Sequence, residues 1–190
     1  MNHIKNLFAL YSEPHRHYHT FNHIVRMLEM LAIHSTITPE LYTAVLYHDA
    51  IYHPENDDNE MKSACFYEIH SINMNDEPDA RVIQMIIDTK EHIPTIEESK
   101  LLIDADLWIL GSNIHIYAEY KKAIKKEYEP FFTEEEMIAG RTAFLENMLD
   151  RENIFYTPNF QRCYTHTAKI NLEIELQGLK KTTLTGETKT

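Results

Sequence analysis

Glycine is scarce, four in 190 residues. Strands joined by tight turns need many positions of positive φ, so this scarcity argues against a sheet architecture. Cysteine is scarcer still: Cys65 and Cys163 lie far apart in no metal-ligand spacing, which excludes a disulfide framework and a thiolate metal site. Each sits among apolar helical residues, so buried free thiols and a reducing compartment are expected. Basic residues are few, 18 against 30 acidic ones, for a formal net charge of -12. Such a surface repels a long nucleic-acid backbone unless it carries a local basic patch. The one basic cluster, Lys121, Lys122, Lys125 and Lys126, is interleaved with Glu119, Glu127 and Glu129, as on a solvated helix face. No apolar run approaches the ~20 residues needed to span a bilayer. Residues 1–10 lack the basic start and apolar run of a signal peptide. The expected setting is cytoplasmic, with no membrane partner.

What the chain does have is helical periodicity, bounded by prolines and caps. The pattern predicts helices near residues 4–11, 18–34, 39–52, 60–72, 79–90, 95–110, 113–128, 133–150 and 159–179. Thr38-Pro39 reads as an N-cap followed by proline at the first helical position. Thr95 with Glu98, and Thr133 with Glu136, have capping-box spacing. The expected fold is all-α: a single helical bundle over residues 1–180, with a disordered polar tail at 181–190.

His48-Asp49 closes a helix whose preceding residues, 41–47, are apolar on one face. A carboxylate at the end of a buried helix is costly unless it is paired or binds a metal. Histidine nitrogen beside aspartate oxygen suits a borderline or hard divalent ion: Mn, Mg, Fe, Co, Ni or Zn. Upstream, His19 and His23 are spaced to share one helix face, with Arg16 near it. Downstream, Asp104 and Asp106 interrupt an apolar helical run, and a buried carboxylate there again needs a partner.

The order His, His-Asp, distant Asp resembles the HD superfamily of metal-dependent phosphohydrolases. The likeness covers nearly the whole chain. It is carried by Arg16-His17-Tyr18-His19-Thr20-Phe21-Asn22-His23-Ile24, Tyr47-His48-Asp49-Ala50-Ile51-Tyr52 and Asn59-Glu60-Met61-Lys62-Ser63-Ala64. Asp88-Thr89-Lys90-Glu91-His92, Asp104-Ala105-Asp106-Leu107-Trp108-Ile109-Leu110-Gly111, Tyr117-Ala118-Glu119-Tyr120 and Glu127-Tyr128 continue it. The resemblance implies an HD-type bundle with His23, His48, Asp49 and Asp104 as metal ligands. His19 is the alternative first ligand, and otherwise either supports the ligands from behind or touches substrate. One departure is that Lys125 and Lys126 stand where relatives are expected to carry an arginine. A lysine would hold a phosphate as a point charge, without a bidentate fork.

The implied chemistry is hydrolysis of a phosphate ester or anhydride, for instance in a nucleotide, by a metal-activated water. Arg16, His92, Lys90 and Lys125 are the expected anion contacts, with Arg16 and His92 also placed in the catalytic set. Glu60 or Asp106 is the expected general acid or base. Two other readings stand beside it: a di-iron oxygenase, and a non-catalytic sensor or interaction module with a structural metal. The expected partner is a small phosphate-containing molecule. The abundant aromatic and methionine residues leave a homodimer open.

Overall fold

Short side chains set the helix starts. The Thr38 hydroxyl accepts from Leu41 N, with Pro39 in the first turn. Asp79 caps through Arg81 N, and Asn113 through His115 N and Ile116 N. Thr133 and Glu136 form a reciprocal capping box, satisfying donors that a helix start otherwise leaves unpaired. The computed structural model describes the backbone of residues 2–186 and the side chains of residues 6–181. Among the described residues there are helices and no strands, as expected of an all-α fold.

The chain divides into two compact units, the first ending at Asp106 and the second beginning at Leu107. The first holds α1 (Asn2–Leu10), α2 (Phe21–His34), α3 (Pro39–Tyr47), α4 (Asn59–Asn73), α5 (Ala80–Asp88) and all but the last residue of α6 (Ser99–Leu107). Helix α3 is its hub, packing on α2, α4 and α5. Ile24, Met27 and Leu31 of α2, Ala44 and Val45 of α3, and Met85 and Ile86 of α5 are essentially fully buried. That apolar stripe drives the packing.

The second unit opens with a 3-10 turn, Trp108–Gly111, followed by α7 (Ile114–Tyr128), α8 (Glu134–Asp150) and α9 (Pro158–Gly186). Helix α9 packs on the turn and on α8. Asn171 of α9 donates to the carbonyls of Leu110 and Ser112, both at 2.9 Å, and so fixes both sides of the turn's end.

Several expectations are corrected. Helix α9 does not stop near Leu179 but runs to Gly186, so 181–186 are helical rather than disordered, and 187–190 lie outside the described residues. Thr95 does not cap α6, which starts at Ser99; its amide and hydroxyl are held by Asp88 instead. Cys65 and Cys163 are both exposed. The apolar neighbours that suggested burial, Ala64 and Tyr67 beside Cys65, face inward on their own. No helix among the described residues is long and apolar enough to cross a membrane.

Candidate metal centre

Helix α3 ends at Tyr47, earlier than the predicted stop near Tyr52. Side chains take the backbone groups that would continue it. Arg16 donates to the carbonyls of Asp49, at 2.7 Å, and Ala50, at 3.0 Å. Ser63 of α4 accepts from Ile51 N and donates to Ile51 O. His48 Nδ1 meets the Val45 carbonyl at 3.0 Å. Local side-chain bonds of this kind compete with the helix ladder. They also aim the site: a carbonyl only accepts, so Nδ1 carries the proton and Nε2 faces the other way.

His48 Nε2 lies 3.2 Å from Asp49 Oδ2 and 3.8 Å from Asp106 Oδ1. His23 Nε2 lies 3.0 Å from Asp106 Oδ1 and 3.9 Å from Asp49 Oδ2. Both nitrogens are buried, and neither forms an oriented hydrogen bond. Donor atoms of His23, His48 and Asp49 all fall within 4.8 Å of one another. Ligands held about 2.0–2.2 Å from one ion sit roughly 3–4 Å apart. The donor types and spacings therefore fit a divalent metal, and this buried His-His-Asp group can hold one.

The electrostatics of the metal-free site agree. Burial disfavours the His48 cation, but the Asp49 and Asp106 carboxylates outweigh it and push His48 up to about 9. Burial likewise opposes ionisation of Asp49, yet His48 and His19 hold it well below the usual carboxylate range. Asp106 is lowered in the same way, against burial, by His23, His92 and His48. Such mutual stabilisation of charge in a dry site is what a metal cation replaces.

Of the two acids on α6, Asp106 and not Asp104 joins the histidines. Two residues along a helix is a rotation of about 200°, so only one of them faces the site. Asp104 is fully buried. Asp106 thus occupies the place beside the imidazoles that was expected of Asp104, while the donors close enough together to share one ion are those of His23, His48 and Asp49. Sequence phase could not separate them, because Leu102, Ile103 and Ala105 around them are also fully buried.

The expectation that His19 and His23 share a helix face fails. Helix α2 begins at Phe21 with Thr20 as N-cap, and His19 lies in the preceding bend. His23 supplies the donor atom. The His19 ring stacks on Tyr52, with centroids 4.2 Å apart, and sits 6.0 Å from the His23 ring.

Arg16 is not available to grip a phosphate. Its side chain has no exposure. Nε donates to Glu13 Oε2 at 3.0 Å, and one terminal nitrogen donates to the carbonyls of His19 and Asp49. The other donates to the Ala50 carbonyl and lies 3.0 Å from Glu13 Oε2. Its five N–H donors are taken up by four acceptor atoms, Glu13 Oε2 being approached twice, which leaves none for a ligand. The substrate-binding and catalytic roles expected of Arg16 are therefore replaced by a buried clamp.

Glu60, Lys90 and His92 gather at the rim. Burial, and then Asp49, raise the Glu60 pKa, while Lys90 and His92 oppose the rise. Lys90 is exposed, and its Nζ donates to the Asp57 carbonyl at 2.5 Å. His92 Nε2 is 3.1 Å from Asp106 Oδ2, and its backbone is left-handed, φ 50°. That conformation costs a non-glycine residue about 1–3 kcal/mol and needs support. Asp88 gives it by accepting from Gln84 Nε2, Thr95 N and Thr95 Oγ1, pinning both ends of the loop that carries His92. Asn59 likewise braces the loop before Glu60 through His53 N and O and Asn56 O. Lys125 is an exposed residue of α7, in the second unit.

Asp88, Asn59 and Ser63 were legible only as parts of the resembling motifs, without a role. Their signal is a polar residue buried next to a loop that must hold a fixed shape. No family model, curated protein or solved structure matches the chain.

Proposed function

We propose that the protein is a metal-dependent phosphohydrolase acting on a small phosphate ester or anhydride, such as a nucleotide. The observation that carries this reading is the pair of buried Nε2 atoms, His23 and His48, without oriented partners and facing two carboxylates. These nitrogens lie close to carboxylate oxygens but are not aligned for a hydrogen bond with them, and nitrogens and oxygens together are spaced as ligands around one ion. His23, His48, Asp49 and Asp106 would hold the ion, which when bound acidifies water and polarises a phosphoryl oxygen.

The remaining work falls to this chain's own groups. Glu60, with its raised pKa, exchanges a proton at its carboxylate with the attacking water or the leaving oxygen. His92 is oriented through Nε2 by Asp106, at the rim where an anionic substrate would enter. Lys90 adds a cation beside Glu60. Local charge of this kind is needed because the chain as a whole repels an anion.

The test is a screen of folded, metal-reconstituted protein against nucleotides, other phosphomonoesters and cyclic diesters. Hydrolysis of one class, read as released phosphate or pyrophosphate or as opening of the cyclic diester to a monoester, and abolished by Asp49→Ala, supports the reading. Metal-loaded protein inert toward all three overturns it. Within an active protein, Glu60→Gln should lower kcat/KM by about 100- to 10,000-fold while metal content stays unchanged.

A further inference from the structure

We infer that Arg16 is a positioning residue for the metal centre, setting its affinity by fixing the backbone that carries Asp49. The inference rests on the metal-binding reading above. Three chain segments converge on this one guanidinium. Glu13 holds it from the turn that follows α1. The His19 carbonyl is bound in the bend just before the N-cap of α2, the helix that bears His23. The Asp49 and Ala50 carbonyls belong to the turn that presents the Asp49 carboxylate to both imidazoles. The aromatic rings of Tyr11 and Tyr52 lie 5.1 and 5.5 Å from the guanidinium carbon, restricting its plane as well as its position. Tyr52 in turn carries the His19 ring.

The geometry separates this role from an electrostatic one. Arg16 bonds the backbone oxygen of Asp49, whereas the Asp49 carboxylate is set among His48, His23 and His19. Arg16 thus fixes where the carboxylate starts, and the histidines fix where it ends. A planar fork with five donors spans two successive carbonyls, a third in another segment and a carboxylate. An ammonium has three donors and no plane, so lysine cannot reproduce the set. Groups that orient metal ligands from behind typically change metal affinity by about 10- to 100-fold.

The experiment measures cobalt(II) affinity by titration of visible absorption in wild type, Arg16→Lys and Arg16→Ala. The thermal midpoint of each metal-free protein is recorded alongside. The expected result is a 10- to 100-fold weaker affinity in the folded fraction of both variants, with an altered cobalt spectrum. Addition of methylguanidinium, well below denaturing concentrations, should restore affinity to Arg16→Ala, and methylammonium should not. If Arg16→Ala fails to fold, Arg16→Lys carries the test alone. Folded variants that bind cobalt as tightly as wild type, however much their melting drops, overturn the inference and leave the metal centre standing. Wild-type protein that binds no cobalt overturns the metal reading itself, and this inference with it.

Discussion

Arg16 in the first unit and Arg141 in the second both sit in polar clusters inside helical packing, yet the clusters differ in what they leave undone. Around Arg141 the accounts close. Nε donates to Glu175 Oε1, the terminal nitrogens reach Tyr120, Tyr117 and Glu175, and the Tyr117 hydroxyl donates to Glu175. The guanidinium also lies over the Phe144 ring, 4.9 Å from its centre. Arg16 is as fully bonded, but the site it braces keeps two buried imidazole nitrogens unsatisfied. A network that satisfies itself is structural. One that spends its hydrogen bonds on holding other donors unsatisfied is built to receive something.

The comparison breaks most readily at the ligands. His48→Ala, Asp49→Ala and His23→Ala should each abolish metal retention, read by elemental analysis after dialysis. Asp106→Asn should weaken it strongly, while Asp104→Asn should spare it. Metal lost from Asp104→Asn and kept by Asp106→Asn would reverse the α6 assignment.

In the second unit the expected effect is on stability alone. Arg141→Ala leaves the largely buried Glu175 carboxylate with the Tyr117 hydroxyl but no cation, a loss at or below the lower end of the roughly 3–5 kcal/mol that breaking a buried ion pair costs. Denaturant unfolding should show that loss, with metal content per folded molecule unchanged. Reduced metal content in folded Arg141→Ala would blur the distinction between the two clusters.

The pH dependence sharpens it further. The folded value for His48, about 9, lies above the unfolded value of about 6.5. Its contribution to metal-free stability is therefore fully present below pH 6.5 and is lost as pH rises through about 9. Metal must displace that proton, so affinity should climb with pH up to about 9 rather than levelling off near 6. Melting of metal-free protein and metal titrations across this range should run in opposite directions. Parallel trends would show that His48 is not the group exchanging proton for metal.

The smallest effect concerns a glycine with nothing to fit. A Cβ at Gly140 would meet no atom within 4 Å, and the residue lies inside α8. Gly140→Ala should stabilise the protein by about 0.5–1 kcal/mol through helix propensity, measurable by denaturant unfolding. A loss instead would mean that its helix face is covered in the functional state.

The sequence made most helices legible because their starts are written in side chains: Thr38-Pro39 and Thr133 with Glu136 cap where expected, and Asp79 and Asn113 cap at the predicted starts of their helices. It failed where the competing bond lay far along the chain. Thr95 has capping-box spacing, but Asp88 claims it. The apolar pattern continues past Tyr47, but Arg16 and Ser63 take the carbonyls and amide of the next turn. At the site, His48, Asp49 and His23 could be read, since burial of polar residues beside apolar stripes is a local signal. Arg16 and the Asp104–Asp106 choice could not, because both depend on which way a side chain turns once neighbouring segments have packed.

The contact between Gly111 and α9 bears on how this sequence can drift. A Cβ at Gly111 would sit 2.5 Å from Tyr164 Cβ and 2.7 Å from the Tyr164 carbonyl oxygen. The backbone of α9 cannot yield there cheaply, because Asn171 ties the same turn to the helix through Leu110 and Ser112. Shrinking Tyr164 would not open the way either, since the obstructing carbonyl belongs to every residue type. No single change, and no simple pair of changes, frees position 111. Lineages descending from this chain should vary at Gly140 while Gly111 remains fixed, locked by main chain rather than by any chemistry of its own.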